Sequence, residues 1–258
     1  MSNLEIDLRL GDCLEILPTL ADNSVDAVIT DLPYGMTACS WDKVIPFAPM
    51  WKEIKRTTNT FITTASQPFT SKLVMSNLLW FKYSWVWDKT KVTGGINAKY
   101  MPMKAHEDIL IFSNGDVHYF PQMTKWTPEQ IKRKRKRDAK LKGNDRFIYR
   151  DCIAPGRDKQ VKNGRHPDSV IRIKALGSHD PERAGHPTQK PVALIEYLIK
   201  TYTNKGDTVA DICMGVGSTG VACVQTGRNF IGIEIEPKYF EIAEKRIAEA
   251  QLQMRMEI

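Results

Sequence analysis

Four consecutive residues, Asp31-Leu32-Pro33-Tyr34, combine hydrogen-bond acceptors with an aromatic ring. They follow the apolar segment 25–30, which predicts a strand that ends in a tight turn. Pro33 fixes its own φ angle and favours an extended conformation at Leu32. The turn can then present the Asp31 carboxylate and the Leu32 carbonyl to both hydrogens of one NH2 group, and the Tyr34 ring to a base taken out of a duplex. The pattern indicates chemistry on an exocyclic amine; the alternative is an ordinary strand exit with a buried tyrosine.

A second group of residues lies in the glycine-rich segment 211–220, DICMGVGSTG. Its glycines, Gly215, Gly217 and Gly220, match the pattern G-x-G-x-x-G, and Glu234 ends the next predicted strand, where it can bind ribose hydroxyls. The same pattern is typical of nicotinamide and flavin dinucleotide sites, and a glycine turn can also serve close packing alone. Asp211 is poorly suited to a pyrophosphate, however. It suits a ligand with an amino group and a sulfonium, such as S-adenosylmethionine.

Alternating strand and helix patterns must position these residues. We predict strands at 4–12, 25–30, 60–64, 83–87, 108–112, 208–213 and 230–235, and helices at 13–20, 46–56, 69–79, 190–202, 215–226 and 237–254. This order predicts an α/β protein with a mostly parallel sheet and helices on both faces. Ligands bind such sheets beyond the carboxyl ends of the strands. If the strands that end at Asp31 and Asp211 are neighbours, the two groups share one crevice.

Composition limits the class of protein. No apolar run reaches the roughly 18 residues of a membrane span, the N-terminal residues do not resemble a signal peptide, and the five scattered cysteines indicate reduced thiols in a cytoplasmic protein. The histidines show no ligand spacing, so we predict no metal site. Residues 116–190 contain 19 Lys or Arg and 9 Asp or Glu, a net charge of +10 within a chain of +7. This asymmetry indicates a polyanionic partner, most simply nucleic acid.

The chain resembles the permuted, β-class amino-methyltransferases of DNA. The resemblance rests on DLPY at 31–34, HEDILIF at 106–112, HPTQKP at 186–191, DICMGVGSTG at 211–220 and IGIEIEP at 231–237. It implies a circularly permuted, Rossmann-like fold for S-adenosylmethionine-dependent methyltransferases. The implied division is a catalytic half at 1–115, a basic target-recognition insert at 116–186 and a cofactor-binding half at 187–258.

The resemblance also implies roles for individual residues. The turn of Asp31, Leu32, Pro33 and Tyr34 would bind the target amine and base. The residues that would hold S-adenosylmethionine are Asp12, Cys13, Lys190, Pro191, Asp211, Cys213, Gly215, Gly217, Ser218 and Glu234. The basic run Lys132, Arg133, Lys134, Arg135, Lys136 and Arg137 would contact DNA phosphates, although alone it could equally be a solvated face. The chain departs from the family pattern at Leu32, which replaces a Pro, and at Cys213, which replaces a Phe.

These observations predict an enzyme that methylates the N6 amine of adenine in double-stranded DNA, as in restriction–modification systems. In the family, an acidic residue at the position of Asp31 usually accompanies adenine, whereas Ser usually accompanies cytosine, so N4-cytosine methylation stays open. A non-catalytic cofactor-binding subunit, a nucleotide-dependent oxidoreductase and an RNA substrate are further alternatives. We expect His106-Glu107 to be a structural pair rather than a catalytic one. Apolar residues at 80–81 and the C-terminal helix could form a homodimer face.

Overall fold

A computed structural model describes residues 4–37, 39, 41–133 and 164–256. The chain divides into two compact units, one formed by Met1–Phe120 with Ser169–Ile258 and the other by Pro121–Asp168. The segment 116–186, predicted as the insert, is thus divided. Residues 169–186 belong to the first unit because strand Val170–Arg172 pairs with strand Phe81–Thr93.

The first unit contains the alternating elements expected from the sequence. The strands are β1 Ile6–Leu10, β2 Ala27–Thr30, β3 Thr60–Ala65, β4 Phe81–Thr93, β5 Lys104–Ser113, β6 Val170–Arg172, β7 Thr208–Asp211 and β8 Asn229–Glu234. The helices are α1 Cys13–Ile16, α2 Phe47–Thr57, α3 Phe69–Ser76, α4 Val192–Tyr202, α5 Ser218–Thr226 and α6 Pro237–Met256.

In the described part of the chain the strands form one eight-stranded sheet in the order β1-β8-β7-β2-β3-β5-β4-β6. All neighbouring strands pair in parallel except β3 with β5 and β4 with β5. The prediction of a mostly parallel sheet is confirmed. Strands β2 and β7 are neighbours, with Val28 opposite Ala210, so the predicted adjacency of the two functional segments is also confirmed.

Two apolar clusters cover the two faces of the sheet. On one face, Leu198 of α4, Ala222 of α5 and Ile247 of α6 pack against strand residues such as Ile29 and Val209. On the other face, α1, α2 and α3 contribute Cys13, Met50, Ile54 and Leu73. The helices therefore lie on both faces, as predicted, and the polar turns at the strand ends are left to form a site.

The segment between the fourth and fifth strands differs from the prediction. We expected strands at 83–87 and 108–112 with a long loop between them. The strands are instead much longer and form an antiparallel ribbon that continues to the pair Thr93 and Lys104. The apolar pattern ends where the ribbon leaves the core, since Thr90 to Thr93 are exposed, so periodicity could not reveal the extension.

The second unit is described at residues 121–133 and 164–168. Thr124 and Arg165 form an antiparallel bridge, with N–O distances of 3.0 and 2.7 Å. Residues 128–133 are helical, and Lys132 and Arg133 are exposed. The other members of the predicted DNA-binding run, Lys134 to Arg137, lie outside the described residues.

Candidate active site

The Asp31 carboxylate, in the turn after β2, accepts hydrogen bonds from three other residues. Oδ1 accepts hydrogen bonds from the Tyr34 hydroxyl at 2.9 Å and from the Thr64 hydroxyl, and Oδ2 accepts one from Lys190 Nζ at 2.5 Å. A carboxylate offers about four lone-pair sites. Donors among the described residues therefore use three of the four, and Oδ2 keeps one acceptor site for a further donor.

Lys190 connects Asp31 to a second buried carboxylate. Its Nζ atom lies 3.6 Å from Glu107 Oε2, and Lys89 pairs with the other Glu107 oxygen. The side chains of Lys190, Glu107 and Lys89 are only 8%, 10% and 11% exposed. Burial would raise the pKa of Glu107, but Lys190 and Lys89 lower it below its usual range. The result is a charge-balanced row of two ammonium and two carboxylate groups.

Tyr34 is positioned by packing as well as by hydrogen bonding. Its ring stacks on Phe69 with centroids 5.1 Å apart, and Lys190 Nζ lies 5.7 Å from the ring centroid. Burial, together with the charges of Asp31 and Glu107, raises the pKa of Tyr34 well above its usual value. The hydroxyl therefore stays protonated and remains a donor to Asp31.

Asp211 links the glycine loop to β2. Its carboxylate accepts hydrogen bonds from the hydroxyl of Thr30 at 2.7 Å, the hydroxyl of Thr219 at 2.6 Å and the backbone N–H of Cys213 at 3.1 Å. Burial raises the pKa of Asp211 to about 6. The sequence suggested that Asp211 contacts a ligand; in the structure Asp211 lines the cleft and also fixes the loop beside the turn at 31–34.

Glu234 closes the other side of the glycine loop. Its Oε2 atom accepts from the N–H of Gly215 and its Oε1 atom from the N–H of Glu236, both at 2.8 Å. Burial raises its pKa. Each oxygen retains a second lone pair, so Glu234 can still accept hydrogen bonds from ligand hydroxyls.

The remaining predicted cofactor residues surround the same loop. Asp12 caps α1 by accepting from the N–H of Leu14 at 2.8 Å. The pKa of Cys213 is raised well above its usual value, mainly by a hydrogen bond with Cys13 and secondly by burial. Both cysteines are free, and the Cys213 thiol is neutral. Cys13 therefore lies beside the position where the family usually has Phe.

The start of α5 carries an unpaired polar group. Ser218 is 7% exposed, and its buried hydroxyl has no hydrogen-bond partner among the described residues. Gly217, at φ +77°, precedes the helix, and a Cβ at this position would lie 2.9 Å from that of Ala243. Glycine is thus required here by conformation and by helix packing.

One cleft of about 980 Å³ is lined both by the turn 31–34 and by the glycine-rich segment 211–220. This volume lies at the upper end of the range of about 300–1,000 Å³ that is usual for ligand sites. Its lining includes the following predicted residues: Asp12, Cys13, Asp31, Leu32, Pro33, Tyr34, Lys190, Asp211, Cys213, Gly215, Ser218 and Glu234. Pro191 is buried at the start of α4, next to Lys190.

The cleft also contains residues that the sequence analysis did not select. His186 lies between Trp41 and Tyr239, with ring centroids at 4.9 and 4.5 Å. Burial lowers the pKa of His186 to about 4, so its ring is neutral at pH 7. The nearby Asp42 accepts from the N–H groups of residues 35–37 at 2.6–2.9 Å. The sequence signal that could have identified this part of the cleft was the pair Trp41-Asp42, in a polar segment soon after the turn at 31–34.

Neither a metal-binding cluster nor a membrane-spanning helix is found among the described residues. No group of three or more His, Cys, Asp or Glu side chains there could hold a metal ion. No helix in the same ranges is long and apolar enough to span a bilayer.

The α/β fold thus brings an anchored carboxylate acceptor at the end of β2 and an adjoining glycine loop into one cleft. A family model described as DNA methylase matches residues 25–245. The chain belongs to this family, the N6/N4 DNA methyltransferases. Type II methyltransferase M.HpaI of Haemophilus parainfluenzae is 27% identical over 260 residues, which cover 94% of this chain and 74% of that protein.

Solved structures share the fold. The M1.HpyAVI–SAM complex has a TM-score of 0.60 and 24% identity over 94% of this chain and 98% of that one. The PvuII DNA methyltransferase, described as cytosine-N4-specific, has a TM-score of 0.63 and 15% identity over 98% of this chain and 93% of that one. At these identities the likeness concerns the fold, and the predicted methyltransferase fold is confirmed.

Proposed function

We propose that this DNA methyltransferase transfers a methyl group from S-adenosylmethionine to the N6 amine of adenine in double-stranded DNA. The observation that carries the proposal is the single acceptor site left on Asp31 Oδ2, in the same cleft as the glycine loop. An amine held there would share the cleft with the glycine-rich segment 211–220. The names of relatives as Type II methyltransferases favour a role in a restriction–modification system.

The glycine loop and its surroundings fit S-adenosylmethionine. Glu234 can accept ribose hydroxyls, and the unpaired Ser218 hydroxyl fits a ligand that brings a polar group to the start of α5. Asp211 and Glu234 add negative potential, which favours a sulfonium and an amino group over a pyrophosphate. When bound, S-adenosylmethionine supplies an electrophilic methyl group. The M1.HpyAVI structure, which is a complex with this ligand, supports the assignment.

Asp31 and Leu32 prepare the amine. The lone pair of an exocyclic amine is delocalised into its ring, so the nitrogen is a poor nucleophile. Acceptors at Asp31 Oδ2 and at the Leu32 carbonyl would hold its two N–H bonds and favour a pyramidal nitrogen. Thr64, Tyr34 and Lys190 fix the carboxylate beforehand, so little reorganisation is needed during reaction.

The choice of adenine rests on the acidic residue at position 31. In the family that the chain resembles, an acidic residue at this position usually accompanies adenine, whereas Ser usually accompanies cytosine. Adenine N6 and cytosine N4 are both amines beside a ring nitrogen, and the PvuII enzyme shares the fold. N4-methylation of cytosine is therefore the second candidate.

Product analysis tests the proposal. The purified chain is incubated with double-stranded DNA and S-adenosylmethionine labelled in its methyl group, and the DNA is digested to nucleosides and separated by chromatography. We expect label in N6-methyladenine. Label in N4-methylcytosine alone would overturn the choice of base and keep the reaction, whereas unlabelled DNA would overturn both.

A further inference from the structure

The loop at 94–103, between β4 and β5, carries three strongly exposed apolar side chains. Ile96 is 97% exposed, Tyr100 is 87% exposed and Met101 is 60% exposed. Single exposed apolar residues are ordinary, but a group of large ones on one short loop is typical of a surface that contacts a partner. The loop is therefore a candidate contact surface.

The topology places this loop at the mouth of the cleft. Strand β4 is antiparallel to β5, which is antiparallel to β3, so β4 ends at the same edge of the sheet as β2 and β3. Strand β3 pairs with β5 only as far as Asp108, whereas the ribbon continues to Lys104. At about 3.3 Å per residue the ribbon projects roughly 13 Å past the end of β3. Thr93, Gly94 and Lys104 still line the cleft.

The charge of the loop and its flanks selects the kind of partner. Residues 90–104 contain three lysines, Lys91, Lys99 and Lys104, and no Asp or Glu. Lys91 and Lys99 are exposed. A projecting apolar tip flanked by cations matches a polyanion whose interior is apolar, which describes a nucleic acid duplex.

We propose that Ile96 and Tyr100 form an apolar wedge that enters duplex DNA beside the target base. The inference rests on the proposed function, because a base whose amine reaches Asp31 must leave the helical stack. Its departure leaves an apolar gap between neighbouring base pairs. Large apolar side chains are suited to such gaps, and a tyrosine ring can stack on the exposed base face.

A double variant, I96S with Y100S, tests the wedge. The recognised sequence is first read from modified DNA of cells that express the chain. Single-turnover methylation is then measured on a duplex with that sequence and on a matched duplex whose target base faces an abasic position. The second duplex extrudes its target easily and needs little help. We expect the double variant to lose about tenfold or more on the paired duplex and less than about twofold on the abasic one.

Leu79 supplies a matched control, since it is 90% exposed and precedes β4, at the opposite edge of the sheet. The variant L79S should methylate both duplexes at the wild-type rate. An unchanged rate for the double variant on the paired duplex would overturn the wedge. Equal reductions on both duplexes, with a fall from dimer to monomer in light scattering, would overturn it in favour of an interface between two copies. A cytosine product with the expected rate pattern would sustain the wedge and refute the choice of adenine; methylation of neither duplex refutes both proposals.

Discussion

At the scale of single residues, the site depends on how the Asp31 carboxylate is held. Lys190, which the sequence suggested for the cofactor, lines the cleft and bridges Asp31 and Glu107. Glu107 Oε2 is buried and has no hydrogen bond among the described residues. Removing one member of a buried, balanced charge group leaves another charge uncompensated. Glu107 is therefore expected to act on the reaction through Lys190, as a positioning residue.

Glu107→Gln should shift the alkaline limb of the pH–rate profile to lower pH. Burial lowers the pKa of Lys190, but Asp31 and Glu107 raise it more, so the folded value lies above the ordinary one. Without the Glu107 charge one of these raising influences is removed while burial remains. Lys190 should then lose its proton, and its grip on Asp31, at lower pH. The measurement is single-turnover methyl transfer between pH 7 and 11, a range that extends past the ordinary lysine pKa of 10.5.

Two variants separate positioning from general damage. His106→Gln changes the exposed neighbour on the same strand and should leave the profile in place. Glu107→Asp keeps the charge and should restore most of the wild-type profile. An alkaline limb that does not move in Glu107→Gln would show that this charge does not act on Lys190.

At the scale of elements, the close contact of α5 with α6 and β8 sets the position of the glycine loop. A Cβ on Gly220 would lie 2.3 Å from Ile247 Cδ1 and 2.8 Å from Phe230 Cε1. Both neighbours are 1% exposed and belong to the core. The third glycine of the pattern therefore serves packing, while Gly215, at φ +54°, serves the loop.

Gly220→Ala should destabilise the fold even though alanine favours helices. Relief of the contact requires Ile247 and Phe230 to move within a packed core, which typically costs about 1–3 kcal/mol. Gly95→Ala is the matched control, because a Cβ there meets nothing within 4 Å and its φ is ordinary. Urea unfolding compares the two variants. A Gly220→Ala midpoint equal to that of Gly95→Ala would contradict the packing role.

The elements were largely predictable, because periodicity reports which residues face the core. The contacts between distant segments were not. The sequence placed Asp31 and Asp211 at strand ends, but it could not show that Thr30 joins them or that Lys190 turns toward Asp31. His106 and Glu107 were expected to pair, whereas Glu107 contacts Lys89 and Lys190. Such pairings depend on three-dimensional proximity and leave no local pattern.

At the scale of the whole molecule, the charge distribution separates two tasks. Residues 121–168, the second unit, contain 15 Lys or Arg and 6 Asp or Glu, a net charge of +9, whereas the other 210 residues have a net charge of −2. The cleft lined by Asp31 and Asp211 lies in the unit formed by Met1–Phe120 and Ser169–Ile258. We therefore propose that Lys132 to Arg137 supply sequence-independent affinity for DNA phosphates.

Replacing Lys132 through Arg137 by Gln should weaken DNA binding and reduce its dependence on salt. The slope of log affinity against log salt should fall by about 0.9 for each phosphate that the variant no longer neutralises. The control replaces Lys82 and Lys205 by Gln, since both are exposed at the edge of the sheet opposite the cleft. That control should keep the slope. An unaltered slope for the first variant would show that the basic run does not bind phosphates.

The most direct test of the account is methyl transfer by Asp31→Ala, measured together with its affinity for S-adenosylmethionine. The variant removes the amine acceptor and leaves Glu234, Ser218 and the glycine loop unchanged. We predict a single-turnover rate lower by about 10²–10³-fold, with cofactor affinity, from calorimetry, within a few-fold of wild type. A rate within a few-fold of wild type at saturating cofactor would contradict the assignment of Asp31 as the residue that holds the amine.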